Sequence, residues 1–234
     1  NLVEIPKNCE LQMIGEYAFD GTSIHNIYIP PHLKTIDKFV FSDCAKLQNV
    51  EISMNSELQF IGKGAFVNTG IESFTVPSNL IKIKKSAFEY CPNLRKIEFQ
   101  PDSKLQSIGV NALYETSIEK IFIPSSIIKL KQGWCNCNLC LNEIIVDTNN
   151  KHYCSYDNKI VIGKSTNDSK DFDAIVSCVS NIDKIAIPSF IKTINQYAFC
   201  KCKLRKIDLP TDSQLQTIGS FAFCRTGITQ ITIP

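Results

Sequence analysis

The chain has 234 residues, of which 44% are hydrophobic and 21% charged, and its formal net charge is +2. That apolar content excludes wholesale disorder, and near-neutral charge with interspersed signs excludes the large basic face of a nucleic-acid binder or an anionic-membrane binder. No apolar run reaches the roughly 18 to 20 residues that a helix needs to cross a bilayer, so this segment is not expected to insert directly into a membrane.

From residue 11 onward the chain repeats a phrase. The first copy runs Leu11-x-x-Ile14-Gly15-x-x-Ala18-Phe19-x-x-Thr22-x-Ile24-x-x-Ile27-x-Ile29-Pro30, and further copies begin at Leu58, Leu105 and Leu215. A longer phrase alternates with it from Leu33, Leu80, Ile127 and Ile191. Its best example is Leu80-x-x-Ile83-x-x-x-Ala87-Phe88-x-x-Cys91-x-x-Leu94-x-x-Ile97-x-Phe99. Leu11, Leu58 and Leu105 stand 47 residues apart, a period made of a 22-residue and a 25-residue copy. Self-similarity on this scale marks a solenoid whose core grows by stacking.

Each copy ends in an apolar-polar alternation that predicts one strand, at 24–29, 47–52, 71–76, 94–99 and 118–123. One strand per repeat, always wound the same way, predicts one long parallel sheet. The fold class expected is therefore an α/β or mainly β repeat solenoid. Pro30, Pro77, Pro124 and Pro188 close the strands of the shorter copies, where a missing donor costs least. Ile-Gly-x-x-Ala-Phe is too short for a regular α-helix, so the return side is expected as extended or 3₁₀ structure. Its phenylalanines would stack as a spine: Phe19, Phe41, Phe66, Phe88, Leu113, Phe199 and Phe223.

In the copy that begins at Ile127 the Ala-Phe position reads Trp134-Cys135, and 152–182 has no Ala-Phe at all. Two strands are expected there, at 156–162 and 173–178, around a polar loop at 163–171, with Asp157-Asn158 as a tight turn leading into the first. This stretch is read as one expanded repeat within a single domain covering 1–234. The chain starts inside one repeat (Val3-Glu4-Ile5-Pro6) and stops inside another (Thr232-Ile233-Pro234), so it is read as a segment of a longer protein.

The register as a whole resembles the BspA-like, Treponema-type leucine-rich repeat proteins, whose consensus carries the phrase Ile-Gly-x-x-Ala-Phe-x-x-Cys-x-x-Leu-x-x-Ile-x-Ile-Pro. The resemblance extends to the expanded repeat, whose Tyr-x-Ser-x-Asp-Gly-like opening is matched by Tyr153-Cys154-Ser155-Tyr156-Asp157-Asn158. It implies a leucine-rich-repeat superhelix, a cell-surface or secreted location, and adhesion to host proteins or other microbes without catalysis. It supplies no ligand and no set of binding residues.

Cys135-x-Cys137-x-x-Cys140 invites a zinc or redox reading, but a tetrahedral site needs four ligands and no second pair is evident, so no metal or cofactor is assigned. Cys44, Cys91 and Cys202 recur at a core position where a thiol acts as a small apolar group. Cys44 and Cys91 stand two rungs apart, too far for a disulfide. Cys200 and Cys224 follow spine phenylalanines in adjacent copies, within disulfide reach, and Cys154 with Cys178 is a second candidate pairing. His25, His32 and His152 belong to no nucleophile motif and no phosphate loop is present, so no enzyme activity is expected. Asn167-Asp168-Ser169 is an N-glycosylation acceptor pattern.

Outward residues of the predicted strands form rows. The central row holds Glu4, Tyr28, Glu51, Thr75, Glu98, Phe122 and Ile145; Lys96 and Lys120 lie beside it, and Arg95 outside that. These are the candidate contacts for a protein ligand, such as a host cell-surface or extracellular-matrix protein. Glu72, Arg95 and Glu119 alternate in sign, which reads as support across the ladder. Phe122 and Ile145 are apolar on adjacent strands where polar residues would serve, which marks either an interface or a surface covered by a loop of the expanded repeat. The alternative is a structural spacer holding other domains off a surface, which needs no exposed aromatics.

Overall fold

A computed structural model describes residues 5–6, 8–166 and 168–233. Glu4, Asn167 and the first three residues of the chain lie outside them, as do Lys7 and Pro234. The described residues form nineteen strands and no helix, and they pack as two compact units, 1–118 with 129–135, and 119–128 with 136–234.

In the first unit every repeat gives two strands. In chain order these are β1 (Met13–Ile14), β2 (Asn26–Ile29), β3 (Thr35–Ile36), β4 (Asn49–Ile52), β5 (Phe60–Ile61), β6 (Ser73–Val76), β7 (Lys82–Ile83), β8 (Lys96–Phe99) and β9 (Ser107–Ile108), followed, after β10 (Lys120–Ile123) of the second unit, by β11 (Lys129–Leu130). The unbroken parallel sheet is built from the two-residue strands that end on the isoleucine of Leu-x-x-Ile, or on Leu130 in β11, in the order β1-β3-β5-β7-β9-β11. The longer strands predicted to make that sheet instead pair two by two, β2 with β4 and β6 with β8. Paired strands are 23 residues apart (Asn26 to Asn49, Ser73 to Lys96), whereas Asn49 to Ser73 is 24. The two-residue strands, by contrast, stay in register across steps of 22 and 25 residues (Met13 to Thr35, Thr35 to Phe60).

Turns make the return side. The N–H groups of Ala18, Asp20 and Thr22 donate to the carbonyls of Gly15, Tyr17 and Phe19, each at 3.2 Å. Those are the i→i+3 bonds of a 3₁₀ turn, but Tyr17 and Gly21 have φ of 60° and 64°, so no helix can propagate. The same two places are left-handed in each following coil: Phe39 and Asp43, Gly64 and Asn68, Ser86 and Tyr90, Asn111 and Glu115. The intervening N–H groups of Tyr17, Phe19 and Gly21 donate to Lys38, Val40 and Ser42 of the next coil at 3.1, 2.9 and 2.7 Å. Backbone donors thus alternate between closing their own coil and stitching it to its neighbour, which satisfies the return side without helix or strand.

The aromatic spine forms as read from the sequence. Phe19, Phe41, Phe66 and Phe88 stack with centroids 5.5, 5.2 and 5.2 Å apart, and Phe74 tilts against Phe66 and Phe88 at 5.7 and 4.8 Å. Where Ala-Phe becomes Trp134-Cys135, the register survives, because the Leu113 N–H donates to the Trp134 carbonyl at 2.8 Å. A large ring at the alanine place and a thiol at the phenylalanine place exchange volumes within one buried rung.

The second unit opens with β10 parallel to β12 (Glu143–Val146). Its expanded repeat carries β13 (Tyr153–Tyr156), β14 (Ile160–Gly163) and β15 (Ala174–Cys178) as an antiparallel meander. Two strands were expected; the third, β13, lies before Asp157-Asn158. Both residues of that dipeptide have positive φ (51° and 52°) and the Lys159 N–H donates to Tyr156 O at 3.0 Å, a tight turn within a three-residue connection, 157–159, that joins β13 to β14 where Tyr156 pairs with Ile160. Parallel geometry then resumes: β15 pairs with β17 (Thr193–Ile194) and β17 with β19 (Thr217–Ile218), while β16 (Lys184–Ala186) pairs with β18 (Lys206–Asp208). Buried Asn150 anchors the entry to the meander. Its Oδ1 accepts from the N–H of His152 and Tyr153 at 2.8 and 2.9 Å, and its Nδ2 donates to the carbonyls of Pro124 and Ile127 at 2.8 and 3.1 Å.

Candidate interaction surface

Alternation along the longer strands decides what faces out. On β2 and β4, Ile27 and Ile29 are buried while Tyr28 and Glu51 face outward as direct cross-strand partners. Beside them Asn49 Nδ2 donates to Asn26 Oδ1 at 2.8 Å. On β6 and β8, Thr75 stands opposite Glu98, and Lys96 Nζ reaches Glu98 Oε1 at 2.6 Å. Arg95 is exposed, and its backbone N–H donates to Glu72 O at 3.0 Å.

In the second unit the register places Phe122 directly opposite Ile145, with 40% and 39% of their surfaces exposed. Lys120 pairs with Glu143 one step away, its Nζ 2.7 Å from Oε2, and that hydrogen bond holds the ammonium above its ordinary pKa. Further along, Asp208 accepts from both Lys184 and Lys206 at 3.2 Å. Arg205 binds Asp183 through both Nε and Nη2 and holds its carboxyl below the ordinary value. Arg205 with Asp183 is thus an ion pair across neighbouring strands at the same outer row, whereas Glu72 and Arg95 are joined through the backbone.

The strand pairs bring together Tyr28 with Glu51, Thr75 with Lys96 and Glu98, and Phe122 and Ile145 with Lys120. Beside Phe122 and Ile145, Lys120 and Glu143 are committed to each other, so a neutralised ion pair borders the apolar one. One surface feature escaped the sequence pattern. A cavity of about 400 Å³ beside the meander is lined by Tyr156, Phe172, Phe190 and Lys192 among others. Its aromatics come from segments far apart in the chain, so no spacing announces them.

All eleven cysteines are free thiols. Cys44 and Cys91 donate to the carbonyls of Phe19 and Phe66 at 3.0 Å and meet the hydroxyls of Thr22 and Thr69 at 3.3 and 3.2 Å. Burial pushes the Cys91 thiol up to about 11. Cys200 is pushed up to about 12, chiefly by burial and then by the neighbouring Cys137 and Cys224. The Lys201 N–H donates to Cys224 O at 2.8 Å, so the two chain segments carrying Cys200 and Cys224 are adjacent. Cys154 and Cys178 are a different case, and the pairing read from the sequence is corrected. They lie on β13 and β15 with β14 between them, and two strand spacings of roughly 10 Å exceed the reach of a disulfide. Among the described residues no group of three or more His, Cys, Asp or Glu side chains is placed to hold a metal ion, and no helix is long and apolar enough to cross a membrane.

A model of the BspA type leucine rich repeat region matches residues 3–156 and 173–234, in six copies. Among curated proteins none matches. The crystal structure of the pneumococcal vaccine antigen PcpA is similar with a TM-score of 0.85 and 26% identity, over 95% of this chain and 56% of that one. A leucine-rich repeat protein from Eubacterium ventriosum is similar at 0.77 and 23%, over 92% and 57% of the two chains. A leucine rich cell surface protein from Faecalibacterium prausnitzii is similar at 0.68 and 21%, over 91% and 62%. This chain therefore spans 56% to 62% of the length of those structures. Matched over most of its residues, the chain belongs to the BspA type leucine-rich repeat family.

Proposed function

We propose that this chain is a non-enzymatic protein-binding module, displayed on or secreted from a cell, that adheres to a protein partner through the outward residues of its longer strands. The observation that carries the reading is the Phe122 and Ile145 pair. Each is directly opposite the other and about two-fifths exposed, and the adjacent Lys120 and Glu143 neutralise one another. Apolar side chains held outward on a ladder, with a satisfied ion pair beside them, have the composition of a binding patch. The family match and the pneumococcal antigen and cell-surface protein among similar structures support a surface location.

The test is a binding screen of the 234-residue chain against host cell-surface and extracellular-matrix proteins. Phe122→Ala is expected to weaken capture about tenfold or more, the effect of removing a hot-spot aromatic, while the melting temperature stays unchanged. Retained affinity would move the site to another row, and a spacer would bind nothing in the screen.

A further inference from the structure

Three cysteines occupy the same core place of the long copy, and each meets a side chain from an earlier coil. For Cys44 that side chain is Thr22 and for Cys91 it is Thr69, at 3.3 and 3.2 Å. For Cys202 it is another cysteine, Cys178, which hydrogen-bonds to it from the end of β15. The backbone fixes the approach, since the Lys203 N–H, one residue beyond Cys202, donates to Ser180 O at 2.9 Å, two residues beyond Cys178. A hydroxyl and a thiol at this place can only share a proton. Two thiols at hydrogen-bonding distance can lose theirs and join.

We propose that Cys178 and Cys202 form a disulfide when the protein meets an oxidising environment, by exchange with a low-molecular-weight disulfide, and that this bond ties the expanded repeat to the coil that follows it. Cys178 is partly accessible whereas Cys202 is 4% exposed, so Cys178 is the entry point. Its thiolate attacks one sulfur of the small disulfide, breaks that S–S bond and releases one small thiolate. The Cys202 thiolate then attacks the Cys178 sulfur and expels the second small thiolate. The two protein thiols give up two protons and two electrons, and the electrons reduce the small disulfide to two thiols. The hydrogen bond from Cys178 also draws the Cys202 thiol below its ordinary pKa against the effect of burial, which favours the resolving thiolate. The closed loop encloses the turn at Pro188 and all of β16 and β17, so the constraint falls on the place where antiparallel geometry gives way to parallel.

The experiment equilibrates the 234-residue chain with oxidised glutathione, blocks remaining thiols by alkylation, and maps the unreduced peptides by mass spectrometry. A peptide joining residues 178 and 202 is expected. Oxidation is also expected to raise the melting temperature on the order of 5 to 10 °C, the effect of closing a loop of this size. Cys178→Ser keeps a small hydroxyl where the thiol meets Cys202, so it should fold; it must lose the cross-link and reduce the rise. Cys154→Ser must keep both. A map in which Cys178 is joined to Cys154, Cys202 is joined to Cys200, or Cys178 and Cys202 are both alkylated overturns the proposal.

Discussion

At Gly62 and Gly109 one coil lies so close on another that no side chain fits. A methyl group there would stand 2.4 Å from the Asp37 carbonyl and 2.5 Å from the backbone of Lys84 and Lys85. The glycine of Ile-Gly-x-x-Ala-Phe is therefore required by packing between backbones, and the longer copies place Asp37 and Lys84 at the corresponding position. Gly109→Ala is expected to lower stability by about 1 to 3 kcal/mol, the cost of overpacking, and a urea melt checks it. The spine tests the opposite error. Phe66 lies fully buried between Phe41 and Phe88, and replacing it or Phe88 with alanine leaves a hole that stacked coils cannot close. A loss of about 3 to 5 kcal/mol is expected in the same melt. Both positions were legible in the sequence because they repeat. The left-handed residues that flank them were not, since Tyr17, Phe39, Gly64, Ser86 and Asn111 share a backbone angle but no side-chain chemistry.

Among the elements, the meander shows how the repeat accommodates an insertion. The loop between β14 and β15 is closed by Asp173, whose carboxylate accepts from the Ser165 N–H at 2.7 Å and the Ser165 hydroxyl at 2.9 Å, with Lys192 Nζ at 3.8 Å. Burial alone would raise this carboxyl, but the Ser165 hydrogen bonds and the Lys192 charge outweigh it and hold the pKa below the ordinary value. A depressed folded pKa contributes stability that is present above the unfolded value, about 3.9, and is lost as pH falls through the lower folded one. The chain is thus expected to lose stability on acidification below about pH 4, and Asp173→Asn to lose part of that dependence together with about 1 to 3 kcal/mol at neutral pH, measured by denaturant melts across pH. Asp157-Asn158 was visible as a turn, but assigning it as the link between β13 and β14 needed the partner strand. The alternation in Tyr153–Tyr156 is too short and too polar to stand out.

For the molecule as a whole, the repeated phrase determined the class of fold, the buried spine, the direction of the outward residues and the family, because each rests on spacing and residue type that recur many times. Spacing alone could not decide which of two strands per repeat runs unbroken. Tertiary pairing decided it: the two-residue strands pair across steps of both 22 and 25 residues, whereas β2 with β4 and β6 with β8 pair only across 23, which leaves the outward row in pairs. Phe122→Ala belongs to this scale, since its effect depends on Ile145 standing opposite and on Lys120 and Glu143 closing on one another. Cysteine chemistry divides the same way. Sequence put Cys200 and Cys224 after equivalent phenylalanines, whereas only the tertiary fold showed β14 between Cys154 and Cys178 and brought Cys178 to Cys202. A periodic code predicts what every coil shares, and the contacts of the single irregular repeat are settled by where its strands pack.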